Sequence, residues 1–312
     1  MSKKKGLIIY NSFLNGKKYS ELVEYLENSC KKYDIEVDSV GNADFYISLS
    51  DNKTSDTILN NLDSYDFIVM GDKDIRLGYT LERYLKNTKT RVFNSIDSIK
   101  ASDDKYETYL RLYDWNLTHS SNEHIPFPKT VILPMTYENI GYTDYDFLDS
   151  ILKEFSFPFV MKECFGSFGS QVYLVNNKDE VLSTIKKTKS RPVICQEFIE
   201  NSRGRDVRIQ IVGDRVVASM YRNNEKGDFR SNVTNGGTAT PYEPCDEEIK
   251  LALNAARALG LDFAGVDLMF SGMKNYADIV CEVNSNAHFK VISECNGISV
   301  SDYMIEYIME RI

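Results

Sequence analysis

Apolar residues in the first hundred positions fall into short runs, GLIIY, IEVDSV, FYISL, YDFIVM and RVFN. Between them lie segments with helical spacing, YSELVEYLENSCKKY and GYTLERYLKN among them. Short buried runs alternating with amphipathic helices predict a small parallel α/β domain over residues 1–97. The stretch SIDSIKASDDKYETYLRLYDW then reads as one long helix that crosses between domains. IPFPKTVILP follows, its prolines at 126, 128 and 134 marking extended chain and turns.

From residue 143 the pattern predicts a helix (144–155), strand FPFVMKE, a glycine-bearing loop CFGSFGS, strand QVYLV, helix NKDEVLSTIKKT and strand RPVICQEFI. DVRIQIVGDRVVASMYRN alternates over two arms around Gly213-Asp214, which predicts a hairpin. A polar loop (223–240), a helix (246–259), strands FAGVDLMF and DIVCEVNS and a C-terminal helix complete the pattern. At 312 residues the chain exceeds one core of ordinary size, so two or three packed subdomains are expected.

Composition adds exclusions. A net charge of −9 argues against broad nucleic-acid or anionic-membrane binding while leaving room for a local basic cleft. The apolar run after the basic start MSKKK is too short for a signal-peptide core or a membrane span, and a first strand is expected there. Six cysteines without a C-x-x-C spacing read as reduced thiols in a cytoplasmic protein.

The polar residues inside apolar strands carry the candidate chemistry. Glu282 and Asn284 stand two apart in DIVCEVNS and share one face of a strand. Pairing with the strand AGVDLMF would bring Asp267 beside them. Three hard oxygen donors suit Mg²⁺ bridged to phosphates, with Mn²⁺ as a substitute, although two carboxylates flanking a sheet edge would give the same spacing. Lys162 interrupts FPFVMKE, where a partly buried ammonium needs an anion. The next loop carries Gly166, Ser167, Gly169 and Ser170. It joins two strands, so it is not a strand-to-helix phosphate loop, and it is either a plain hairpin turn or a tip that closes over phosphates. Gln196 and Glu197 end an apolar strand that either lies at the surface or offers backbone groups to a flat heterocycle. Asp206 and Arg208 share a face, and GDFRSN adds Arg230 and Asn232. Guanidinium groups match phosphate and carboxylate geometry, and a solvated charged face is the competing explanation for each.

Taken in order, Lys162, GSFG, QEFI, RDVR, GDFRSN, NGGTA, AGVD and EVN resemble the ATP-grasp carboxylate–amine ligases, and KGDFRSNVTNGG resembles the RimK-like, glutamate-adding branch. The resemblance covers residues 95–312; residues 1–94 resemble the family's preceding domain in general pattern. It implies an α/β (α+β) ATP-grasp fold with an N-terminal parallel α/β domain (1–97), a linker helix and lid subdomain (98–195) and a C-terminal subdomain with the metal site (196–312). It also implies ATP between two sheets, with Lys105 and Lys162 on the phosphates, the glycine loop over them, Glu197 and Phe198 at the adenine and Asp206 at the ribose. Asp267, Glu282 and Asn284 would hold Mg²⁺, and Arg208, Arg222, Arg230 and Asn232 would surround the transferred phosphate and the acyl group.

Two departures bear on the substrate side. Ser285-Asn286-Ala287-His288-Phe289 replaces the family's small residue, Pro and Gly, and Asn223 stands where a second basic residue is usual. His288 is read as a turn residue rather than a general base. The implied reaction activates a carboxylate as an acyl phosphate and passes it to an amine, the partners being small-molecule or peptide substrates of glutamate-like type, with a homo-oligomer compatible. A small-metabolite kinase and a non-catalytic nucleotide-binding module are the alternatives.

Overall fold

The computed structural model describes residues 3–14, 17–47, 58–166, 169–224, 227–231 and 236–312. Strands β1 (Lys5–Tyr10), β2 (Glu36–Gly41), β3 (Phe67–Met70) and β4 (Arg91–Phe93) form a parallel sheet in the order β2-β1-β3-β4, with helices α1 (Lys17–Lys32) and α2 (Ile75–Leu85) between them. Leu7, Ile9, Ile68 and Met70 are almost fully buried on one face against Leu77 and Leu81 of α2. A parallel sheet covered on both faces needs such continuous apolar runs. FYISL differs from expectation. Asp44 ends a 3₁₀ turn, Phe45–Ile47 are irregular, and the remainder lies outside the described residues.

The long helical stretch is two helices, α3 (Ile96–Asp103) and α4 (Lys105–Thr118). The break falls at Asp104, whose extended backbone leaves the helix and whose carboxylate accepts from the Tyr106 N–H at 2.9 Å. Aspartate competes with helical hydrogen bonding in this way and favours caps over interiors. The Lys105 N–H then donates to the Cys164 carbonyl at 3.0 Å, tying the start of α4 to the next subdomain.

Strands β5 (Thr130–Ile132), β6 (Phe159–Glu163), β7 (Val172–Val175) and β8 (Val193–Glu197) form an antiparallel sheet in the order β5-β8-β6-β7. Helices α5 (Phe147–Leu152) and α6 (Lys178–Thr188) accompany it, α5 shorter than the predicted 144–155. Leu148, Phe159, Met161, Val181 and Cys195 fill its core.

Strands β9 (Arg205–Val212), β10 (Arg215–Asn223), β11 (Thr238–Pro241), β12 (Phe263–Met269) and β13 (Ile279–Asn284) make a second antiparallel sheet, in the order β11-β10-β9-β12-β13. The predicted hairpin is present. Val212 pairs with Arg215 across Gly213, which takes a φ of 59°, where a Cβ would also meet the Tyr307 ring at 2.2 Å. Helix α7 (Asp246–Leu259) packs on this sheet through Ala252, Ala255 and Leu259. The chain ends in two helices rather than one, α8 (Lys290–Asn296) and α9 (Val300–Met309), divided by Gly297 at φ 66°. β11 was also hidden in the polar loop, since Thr238–Pro241 carries no apolar alternation.

Candidate active site

The two antiparallel sheets supply opposite walls of one cleft, open to solvent. Lys105, Lys162, Gly166, Gly169, Glu197, Phe198, Asp206, Arg230, Asp267 and Glu282 all line it. Ser167 and Asn232 lie outside the described residues.

On one wall, β6 holds Lys162 at 9% exposure, its Nζ donating to Gln196 Oε1 at 2.6 Å. Burial works against the ammonium charge. The negative ends of Tyr109, Cys281 and Glu282 outweigh that and move the Lys162 pKa above the ordinary lysine range. Lys105, in the first turn of α4, donates to the Gly166 carbonyl at 3.3 Å and stands 3.8 Å from Glu282. Both lysines therefore face the same space from separate elements. At the rim, Phe198 meets Phe229 edge-on at 6.1 Å between centroids, and the Arg203 guanidinium lies 4.6 Å over Phe198. Glu197 gives its N–H to the Lys129 carbonyl at 2.9 Å.

The other wall follows from register. Antiparallel pairing sets Asp267 directly opposite Glu282 and Gly265 opposite Asn284, so all three expected oxygen donors come from one hairpin. Asn284 donates its amide nitrogen to the Gly265 carbonyl at 3.4 Å. Among the described residues no three histidine, cysteine or carboxylate side chains converge as a metal cage, so the hard-donor set here is two carboxylates and one amide. Such a set fits Mg²⁺, which takes few protein ligands and fills its octahedron from water and phosphate.

The arginines depart from expectation. Arg208 forks onto Asp267 at 2.6 and 2.7 Å; Arg222 forks onto Asp206 at 2.7 and 2.6 Å and reaches Asp267 at 3.0 Å. These pairs follow from strand pairing, because Arg208 sits opposite Asp267 and Arg222 opposite Asp206. Burial would raise the Asp267 carboxyl, but Arg208 and Arg222 hold it below the ordinary carboxylate range. Arg222 is 3% exposed and does not line the cleft, so it is a pin beneath the site rather than a group around a transferred phosphate. Asp206 does line the cleft: its two oxygens accept from Arg222 and one also from Ser231 Oγ, and lone pairs remain on the side that faces the cleft. Arg208 and Asn284, like Arg222, stand back from the cleft lining. Arg230 does face it, held by Asp228 at 2.7–3.2 Å and donating to the Gly169 carbonyl.

Behind Lys162, sequence reasoning took Gln196 for its backbone alone and missed its side chain, together with Thr130 and Tyr109. Gln196 receives the Lys162 ammonium, Thr130 Oγ1 accepts from Gln196 Nε2 at 2.9 Å, and Tyr109 donates to the Cys281 carbonyl at 2.5 Å. The available signal was a glutamine inside the apolar run VICQE.

A family model described as the RimK-like ATP-grasp domain matches residues 121–308. The chain belongs to the RimK-like ATP-grasp family. It is accordingly an ATP-dependent carboxylate–amine ligase of the ADP-forming, carbon–nitrogen type. An uncharacterised protein of Mycoplasma pneumoniae is 30% identical over 281 residues, covering 89% of this chain and 90% of that one. A probable alpha-L-glutamate ligase of Haemophilus ducreyi is 28% identical, over 80% and 76% of the two chains. Among solved structures, the RimK-domain ATP-grasp protein of Sphaerobacter thermophilus superposes with a TM-score of 0.66 at 16% identity (97% and 98% covered). The D-alanine–D-alanine ligase of Bacillus anthracis, complexed with ATP, gives 0.67 at 17% (98% and 96%). Both structures share the fold of this chain. Among the described residues no helix is long and apolar enough to cross a membrane.

Proposed function

We propose that the cleft binds ATP between the two antiparallel sheets and activates the carboxylate of an amino-acid substrate of glutamate type for attack by an amine. The supporting observation is the opposition of Lys105 and Lys162 on one wall to Asp267 and Glu282 on the other. Lysine ammonium groups suit the phosphates, and the Glu197–Phe198 segment suits the adenine. Asp267, Glu282 and Asn284 would hold Mg²⁺, for which Mn²⁺ can substitute, and the ion would neutralise phosphate charge.

In this reading the γ-phosphoryl group passes to a carboxylate oxygen, releasing ADP and leaving an acyl phosphate. The amine then attacks the acyl carbon, phosphate departs, and the amine proton goes to solvent. Arg230, half-exposed at the cleft and steered by Asp228, stabilises charge on the phosphoryl group in flight. Arg208 and Arg222 act indirectly, fixing Asp267 in place.

Hydroxylamine tests the acyl phosphate directly. With glutamate, MgATP and hydroxylamine, the enzyme should form hydroxamate and ADP in equal amounts, and Glu282→Gln should lower both together. ADP formed with phosphate retained on the organic product, and no hydroxamate, would make the protein a kinase and end this reading.

A further inference from the structure

Lys162 is a buried cation whose protein partner is a neutral amide. Its Nζ donates to Gln196 Oε1 at 2.6 Å, and Gln196 itself is 1% exposed. The amide cannot turn over freely. Thr130 Oγ1 donates to the Pro128 carbonyl at 2.8 Å, so its remaining lone pairs face Gln196 Nε2, which donates to them at 2.9 Å. A chain of donors thus runs from Gln196 through Thr130 to the backbone and presents the amide oxygen, and only the oxygen, to Lys162. Tyr109 adds a wall, its hydroxyl 3.4 Å from the same oxygen while donating to the Cys281 carbonyl. Two of the ammonium's three hydrogens remain for the cleft.

We propose that Gln196 is the residue that sets nucleotide affinity through Lys162: it fixes the ammonium without neutralising it, leaving its full charge for a polyphosphate. A carboxylate in its place would accept the same hydrogen bond yet cancel that charge inside a poorly solvated wall. The physical distinction is between placing a cation and pairing it. The proposal rests on the reading that Lys162 meets the phosphates, and the experiment separates the two.

Dissociation constants for ADP and for adenosine are measured by calorimetry on the wild-type protein and on Gln196→Glu, Thr130→Val and Lys162→Met. Gln196→Glu should weaken ADP at least tenfold and leave adenosine within twofold. Thr130→Val, which frees the amide to flip, should weaken ADP two- to fivefold with adenosine again unchanged. Gln196→Glu binding ADP as tightly as wild type would overturn the proposal, since a merely anchoring residue is rescued by any acceptor. Equal losses for ADP and adenosine would overturn it too, by showing general damage to the site. If Gln196→Glu does not fold, Thr130→Val carries the same comparison, and an unchanged ADP constant there sinks the proposal. Lys162→Met that leaves ADP affinity intact would remove the Lys162 assignment itself, and the Gln196 role with it.

Discussion

Two arginines that look alike in sequence differ in what they hold. Arg222 lies between two buried carboxylates, Asp206 and Asp267, and is 3% exposed. Removing one member of a buried ionic network strands the others, at a cost of roughly 3–5 kcal/mol. Arg222→Leu should therefore lose about that much stability in urea denaturation, and a variant within about 0.5 kcal/mol of wild type would show that Asp206 and Asp267 do not depend on it. Arg230 retains 29% side-chain exposure and pairs with Asp228 in its own loop. Arg230→Ala should leave the denaturation midpoint nearly in place while lowering kcat, because an interaction made in the transition state affects kcat without a matching change in KM. A raised KM for ATP at unchanged kcat would instead assign Arg230 to ground-state binding. Lys162, Asp267, Glu282 and Asn284 were visible in the sequence because each is a polar intrusion into an apolar strand. The ion pairs of Arg208 and Arg222 were not, since they depend on which strand lies beside which, and spacing along one strand does not record that.

At the level of elements, one helix contact joins the ends of the chain. Asp302, on α9, accepts from Ser29 Oγ at 2.7 Å and from Lys32 Nζ, both on α1. Burial works against its charge, and Lys32 and Ser29 outweigh burial, so the Asp302 carboxyl titrates below its ordinary value. The sign follows. The contribution is complete above the pKa of the unfolded carboxyl and is lost as pH falls through the lower, folded value. Denaturation midpoints measured toward acid should fall less steeply in Asp302→Asn than in wild type, and parallel curves would show that the α1–α9 contact carries no pH-linked stability. Breaks between elements were the least legible features. DDKYE continues a helical periodicity, and only the Asp104 cap interrupts it. Likewise β11 forms because Thr238–Pro241 finds Met220–Asn223 as a partner, a tertiary cause that overrides weak local preference. The β9–β10 hairpin was legible because Gly213 fixes both turn and register locally.

Across the whole molecule, the proposed ligand would touch both antiparallel sheets, whose direct link is the short segment from β8 to β9 and the docking of α4. A ligand bound by the folded form alone adds stability as the logarithm of its excess, about 2.7 kcal/mol at a hundredfold excess over Kd. ADP should therefore raise the unfolding temperature. The increment should need Mg²⁺, because the Glu282 carboxylate, beside the partly offset charge of Asp267, would otherwise face the phosphates across the same cleft. Scanning the protein with ADP, with and without excess chelator, separates the contributions: the shift should be large with metal and shrink strongly without it. Glu282→Gln removes one of those charges while keeping its shape, so it should weaken the metal-dependent increment and lessen the penalty of chelation at once. A shift of equal size with and without chelator would mean that the lysine wall alone holds the nucleotide. The hairpin bearing Asp267, Glu282 and Asn284 would then need another role.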